Sequence, residues 1–381
     1  MRRAAPAAAL LLSLICLTAC GSSSSPASDH ATAGTPGAPG TADSSDPAAP
    51  DGDASAGGPS GGDPDRTITV AFAGDVHFEG RTEARMSPTG SDTALGPISR
   101  TLAGADLSVL NLETAITGRG APEPKTYTFR TSPKALQLLH DAGVDIVSMA
   151  NNHAADFGAP GIEDTLAAKD SSPIPIVGFG HDAKEAYAPY VTTVKGVKVA
   201  VLAASQVVDL TNQKWRAGTG KPGIASALDS AALVRAVTAA KKQAPVVLVY
   251  LHWGDEGKTC PTAAQTDIAK KLSAAGATAV VGTHAHTMLG SGMLGRTYVA
   301  YGFGNFLWYG TSSYSNSDET GVTTLTLTGD GRTVGEAFTP AHIDKRGVPV
   351  PSTGAAATAA RTRRDGLRTC TGLAAAPRAQ G

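Results

Sequence analysis

The strongest constraint on this chain is a regular alternation of apolar runs, each broken off by polar residues of one chemical kind. Short stretches rich in Val, Ile, Leu and Ala stand at 67–73, 106–112, 144–149, 174–178, 197–204, 245–251, 278–282 and 297–302. Between some of them lie segments with apolar residues at helical spacing, at 132–142, 160–169, 226–243 and 262–275. Ser132-Pro133 and Pro261-Thr262 mark helix starts, and Gly143 and Gly276 stand where helices should stop. Strands that are apolar along their whole length and separated by helices imply sheet covered on both faces, an α/β fold. The runs at 321–328 and 334–343 are richer in Thr and alternate, so they read as antiparallel additions with one solvated face.

The strand ends carry the chemistry. The first run stops at Gly74-Asp75-Val76-His77, the second at Asn111-Leu112-Glu113-Thr114 and the third at Asn151-Asn152-His153. Further on come His252-Trp253-Gly254-Asp255-Glu256 and Gly282-Thr283-His284-Ala285-His286. Of the nine histidines in the chain, five fall at these ends. In open α/β sheets, sites form outside the carboxyl ends of strands, so residues from 75 to 286 should converge on one crevice. Carboxylates, neutral imidazoles and an amide oxygen, without a thiolate, suit Mn, Zn or Fe(II). D-x-H and H-x-H each send two side chains to one side of an extended segment. Seven such ligands, one of them bridging, are enough for two ions about 3.5–4 Å apart. A single histidine at a strand end is more often structural, but five ends of this kind in order outweigh that reading. Asparagines shape tight turns, which explains Asn151 but leaves His153 beside Asn152 to be explained.

The extremes read differently. Arg2 and Arg3 precede an apolar stretch from Ala7 to Leu17, which has the form of a signal peptide and is too short to span a membrane as a helix. Leu17-Thr18-Ala19-Cys20 followed by Gly21 resembles a bacterial lipobox, in which the cysteine is lipidated; an ordinary secretory signal is the alternative. The expected organisation is a signal peptide over 1–19 and a linker rich in Ser, Gly, Pro and Ala over 20–65. That linker has too few large apolar residues to offset its ordering entropy. A domain over 66–346 and a weakly ordered tail over 347–381 follow. The expected location is extracytoplasmic, lipid-anchored to the cell membrane through Cys20. In an oxidising compartment Cys260 and Cys370 either pair or remain separate thiols. A formal net charge of −1 gives no general attraction to nucleic acid.

The ordered set GD-x-H, NLE, NNH, HWGDE and GTHAH resembles the CapA capsule-synthesis family, associated with poly-γ-glutamate synthesis and similar to calcineurin-like metallophosphoesterases. The resemblance covers 67 to about 310, with Lys125-Thr126-Tyr127-Thr128-Phe129-Arg130 and Tyr301-Gly302-Phe303-Gly304-Asn305-Phe306. It implies a metallophosphoesterase-like sandwich of two mixed sheets flanked by helices. It also implies one metal on Asp75, His77 and His286, a second on Asn152, His252 and His284, and Glu113 at the bridging position. Two departures stand out: Glu113 replaces an aspartate, and Ala154 stands where many phosphoesterases have Asp after the motif histidine. Asp156, close in sequence, takes the role of orienting His153.

With one or two divalent ions (Mn, Zn or Fe), the resemblance implies a hydrolase or transferase using activated water, with His153 protonating the leaving group. Arg130 is either a clamp for an anionic oxygen or a surface arginine in an ion pair. Trp253 and Trp308 either wall the cleft or fill the core. The implied partners are an anionic polymer or phosphoester substrate, the membrane, and capsule-synthesis membrane proteins. The alternative is a non-catalytic component that binds or exports capsule polymer.

Overall fold

In the computed structural model, residues 62–309 and 314–379 are described; the expected signal peptide, Cys20 and nearly all of the linker lie outside them. Among the described residues, no helix is long and apolar enough to cross a membrane.

The first sheet is built outward from the strand Thr67–Val76. On one side the strands Leu107–Leu112, Ile146–Ser148 and Ile176–Val177 continue in parallel. On the other side Glu319–Thr328, Thr333–Ile343 and Pro349–Pro351 add antiparallel, and Asn305–Leu307 pairs in parallel with the end of the first strand. The second sheet has a parallel centre of Val197–Ser205, Val246–His252, Ala279–Thr283 and Thr297–Ala300. Its edges, Tyr190–Val194 and Ser291–Leu294, run antiparallel. The Thr-rich runs are therefore antiparallel additions, as their alternation implies.

Alternation across each sheet decides which core a residue joins. Val70, Phe72, Val109 and Ile146 from the first sheet pack with Val201, Leu248, Tyr250 and Val281 from the second, so the two sheets lie face to face. The outer face of the first sheet is covered by Leu136 and Leu139 of the helix Lys134–Asp141 and by Ile162 and Leu166 of Gly158–Asp170. The outer face of the second is covered by Leu233 and Val237 of Ser230–Lys241 and by Ile268 and Leu272 of Ala263–Ala274. This is a helix–sheet–sheet–helix sandwich, the α/β class of two mixed sheets.

The helix limits have local causes. Thr262 caps the Ala263–Ala274 helix in a reciprocal box with Gln265. Asp229 caps Ser230–Lys241, so that helix starts four residues later than the apolar spacing suggests.

One expectation is overturned. The segment 347–381 is not a weakly ordered tail: Pro349–Pro351 extends the first sheet, and Gly354–Leu367 is a helix. That helix buries Ala357, Ala360 and Arg364, a stripe of small residues too faintly apolar to register as an amphipathic face. Arg364, part of the run that reads as solvated, is buried; it meets Glu336, Tyr298 Oη and Thr323 Oγ1 and lies over the Phe338 ring. Beyond the helix, Cys370 is bonded to Cys260 with a Cα–Cα distance of 5.8 Å. Ala374 pairs with Met293, and Arg378 with Glu336.

Candidate metal centre

The parallel strands of both sheets end at the same edge, and their registers level the polar residues there. Asp75 sits opposite Asn111, and Asn111 opposite Ser148. His252 sits opposite Thr283 in the second sheet. Close approach at this edge explains one glycine: a Cβ on Gly74 would lie 2.0 Å from the carbonyl oxygen of Gly304, so the residue before Asp75 has no room for a side chain. His284 and His286 both adopt positive φ, 97° and 55°, a costly conformation for histidine. Part of that cost is offset where Asp75 Oδ2 accepts the His284 backbone N–H at 3.2 Å.

Asn152, His252, His284 and Glu113 converge. His252 Nε2 lies 2.6 Å from Asn152 Oδ1, 3.1 Å from His284 Nδ1 and 3.3 Å from Glu113 Oε1. Glu113, His252 and His284 form one group of mutually close ligand atoms, and Asp75, Glu113 and His286 form another. Glu113 belongs to both, as a bridging residue would. Both of its carboxylate oxygens are buried without a hydrogen-bond partner. Buried polar atoms are nearly always satisfied, and here the neighbours are further lone-pair donors. A divalent cation satisfies all of them at once, so the residues fit such a group.

The electrostatics agree. Burial, followed by repulsion from Glu113, pushes the Asp75 carboxyl up to about 6. Burial, with Glu256 next in weight, holds Glu113 well above the usual carboxylate range. Burial pushes His252 down to about 4, and His284 and His153 well below the ordinary imidazole value, so the imidazoles are neutral donors.

Neighbouring amides orient the ligands. Asn111 donates to Asp75 Oδ1 at 2.8 Å and is itself held by Asn151 Nδ2 at 3.0 Å. Asn151 also donates to the carbonyl of Leu112 and accepts the His153 backbone N–H, fixing the turn. His286 Nδ1 meets Asn305 Oδ1 at 2.8 Å, which leaves its Nε2 for the centre. His153 Nδ1 lies 2.6 Å from Asp156 Oδ2, and its Nε2 faces Glu113 Oε1 at 3.9 Å. Lys125 bonds Asp156 Oδ1 at 2.6 Å and also contacts the Asn152 carbonyl.

Three sequence-based expectations resolve differently. His77 is not brought to either group. Its Nδ1 accepts the Glu79 N–H at 3.0 Å, the Tyr309 N–H approaches its Nε2 at 3.4 Å, and its ring stacks on Phe129. With Nδ1 accepting from Glu79, a neutral ring carries its proton on Nε2, so in this tautomer neither nitrogen presents a free lone pair to a cation. Arg130 is exposed, with its guanidinium 4.5 Å from the centre of the Phe157 ring, and among the described residues it pairs with no carboxylate. The two tryptophans split: Trp253 is buried and donates to the Tyr301 carbonyl, whereas the Trp308 ring lies 4.3 Å from His77 and 4.6 Å from His286 and walls the site.

Sequence reasoning missed Asn111, Lys125 and Asn305 as supports, although all three lie in stretches singled out for the resemblance. It also passed over Glu256, which forms a third group with His284 and His286. Its position within HWGDE was the available signal.

The bacterial capsule synthesis protein family PGA_cap matches residues 69–309, the span that carries every one of these strand ends. The chain belongs to that family. It is 28% identical over 249 residues to the PGA biosynthesis protein CapA of Bacillus subtilis, covering 64% of each chain. It is 26% identical to the capsule biosynthesis protein CapA of Bacillus anthracis, covering 63% of this chain and 60% of the relative. The chain thus spans less than two thirds of these PGA_cap relatives. A 5'-nucleotidase precursor from Thermus thermophilus superposes at a TM-score of 0.42 with 12% identity, over 78% of this chain and 57% of that one.

Proposed function

We propose that this PGA_cap protein is a metal-dependent hydrolase or transferase of the cell envelope, acting on a phosphoester or a γ-glutamyl-type amide during capsule polymer synthesis. The observation that carries the reading is Glu113, a buried carboxylate with both oxygens unpartnered, set among imidazoles and a second carboxylate. An unused cluster of this kind would cost stability for no return. The Leu17-Thr18-Ala19-Cys20 stretch supports attachment to the outer face of the cell membrane through Cys20. Relatives named for PGA and capsule biosynthesis support an anionic polymer and its synthesis machinery as partners.

Asp75, Glu113, Asn152, His252, His284 and His286 would hold the divalent ions, which would supply Lewis acidity and activated water. The remaining work falls to this chain. Asp156 fixes the His153 tautomer by accepting from Nδ1, which turns Nε2 toward the centre and makes it the atom that passes a proton to the leaving group. Lys125 holds Asp156 in place. Trp308 and Phe129 pack together on one side of the site, and Arg130, propped on Phe157, keeps an exposed guanidinium for an anionic oxygen of the substrate.

The test is metal content and turnover together. Purified protein supplied with Mn or Zn should hold about two ions per chain and cleave an activated phosphodiester or a γ-glutamyl anilide. His153→Ala should keep the ions and lose about 10²–10⁴ in rate. Folded protein without bound metal sinks the reading. Bound metal with no turnover of either substrate class would favour polymer binding or export instead.

A further inference from the structure

The β-strand Val246–His252 is followed by a loop that leads to the Ala263–Ala274 helix, and this loop is tied to the two-histidine turn at several points. Trp253 N–H donates to the Thr283 carbonyl at 3.0 Å, and Gly257 N–H to the Ala285 carbonyl at 2.8 Å. Thr287 Oγ1 donates to the Lys258 carbonyl at 2.9 Å. Farther along, Cys260 is bonded to Cys370. Gly254 has φ +92°, and a Cβ there would meet the Gln265 side chain at 2.7 Å, so the sharp turn after His252 requires glycine. The loop is therefore a fixed arm, with Glu256 at its tip.

Glu256 is exposed, yet its carboxylate lies in one group with His284 and His286, all ligand atoms within 4.8 Å of one another. Tyr314 Oη donates to its Oε2 at 2.6 Å, which leaves Oε1 available. Glu256 and His284 also line a cleft of about 550 Å³, with Gln206, Val207 and Asp255 on its walls. The centre thus has a carboxylate on its open side. On the opposite account His77 should supply a ligand, but its nitrogens face backbone N–H groups.

Resting on the reading of the site as a metal centre, we propose that Glu256 is a metal ligand of this protein, contributed by the loop after His252 together with His284 and His286, and that His77 is not one. The geometry gives the ligand a second property. Because it stands between the centre and the cleft, a substrate entering through the cleft reaches the ions past Glu256.

Mn(II) binding to the full chain, followed by loss of the six-line spectrum of the free ion in electron paramagnetic resonance, tests this without any activity. Three proteins are compared: wild type, Glu256→Gln and Asp255→Asn. The Asp255 variant removes the same charge one residue away and controls for general attraction of cations. The expected result is two ions in wild type and in Asp255→Asn, with Glu256→Gln losing one ion or binding it at least tenfold more weakly. Thermal unfolding in chelator confirms that each variant is folded. Wild-type binding with Glu256→Gln unchanged, or with both variants weakened equally, overturns the assignment of Glu256 while leaving the metal centre standing. Wild type that binds no Mn(II) overturns both.

Discussion

Glu113 should cost the metal-free protein stability, and replacing it should reveal how much. In the metal-free state burial, followed by repulsion from Glu256, favours the protonated form of its carboxyl. The residue is then a neutral but unpaired polar group in a fully buried position. An unsatisfied buried polar group costs about 1–3 kcal/mol, and methionine is close in length and flexible enough to fill the same space. Glu113→Met should therefore stabilise the metal-free protein by about 1–3 kcal/mol. For a domain of roughly 300 residues the unfolding entropy is about 0.6 kcal/mol/K, which converts to a rise of about 2–5 °C in Tm. The same substitution should abolish the stabilisation that Mn(II) gives the wild type, since mass action acts only on a fold that binds the ion. Thermal unfolding with excess chelator and with Mn(II), on both proteins, reads both effects. If the metal-free variant melts below the metal-free wild type, Glu113 is satisfied in solution by contacts of its own and the argument from its unpaired oxygens fails.

Proton release and removal of the disulfide provide two further tests. Burial lowers the His252, His284 and His153 imidazoles and raises the Asp75 and Glu113 carboxyls, so any proton displaced by a cation comes from the carboxyls and not from the histidines. Proton release on metal binding, measured by calorimetry in buffers of different ionisation heat, should therefore rise as the pH falls from 7 toward 6, where Asp75 gains its proton; release that does not change over that range would refute the raised carboxyl. The Cys260–Cys370 bond closes a loop of 110 residues, worth about 5 kcal/mol on the chain-entropy account. Replacing both cysteines with serine should lower Tm by about 8 °C, and an unchanged Tm would mean that the closed loop retains equivalent order when unfolded.

Most of the architecture was legible because its signals are local. Val246–Leu251 is apolar throughout and is followed by His252, and that one segment announces a buried parallel strand and a candidate ligand together. The convergence of candidate ligands from the other strand ends was legible for the same reason, since the topology of parallel strands gathers their carboxyl ends. The position of His77 outside these groups was not, because it turns on which backbone N–H its ring meets, and spacing fixes only the side to which a residue points. Glu256 escaped for a related reason: it lies beyond the strand, and its approach to His284 depends on tethers such as Gly257 to Ala285 that join separate loops. The helix Gly354–Leu367 was missed because its buried face is alanine and an arginine. Its anchor, Arg364 against Glu336, is a tertiary contact that composition reads as a solvated charge.

The central strand of the first sheet has a partner that arrives very late. Thr67 pairs with Thr328, about 260 residues farther along the chain. At roughly 5–20 residues per second, synthesis takes some 13–50 s to bring that partner within reach. Until Asn305–Leu307 reaches its end, Thr67–Val76 can acquire neighbours on one side only, and the residues that link the two sheets, 374 to 378, are later still. The first sheet is therefore completed only when nearly all of the chain exists, whereas every strand of the second lies within residues 190–300 and can pair earlier.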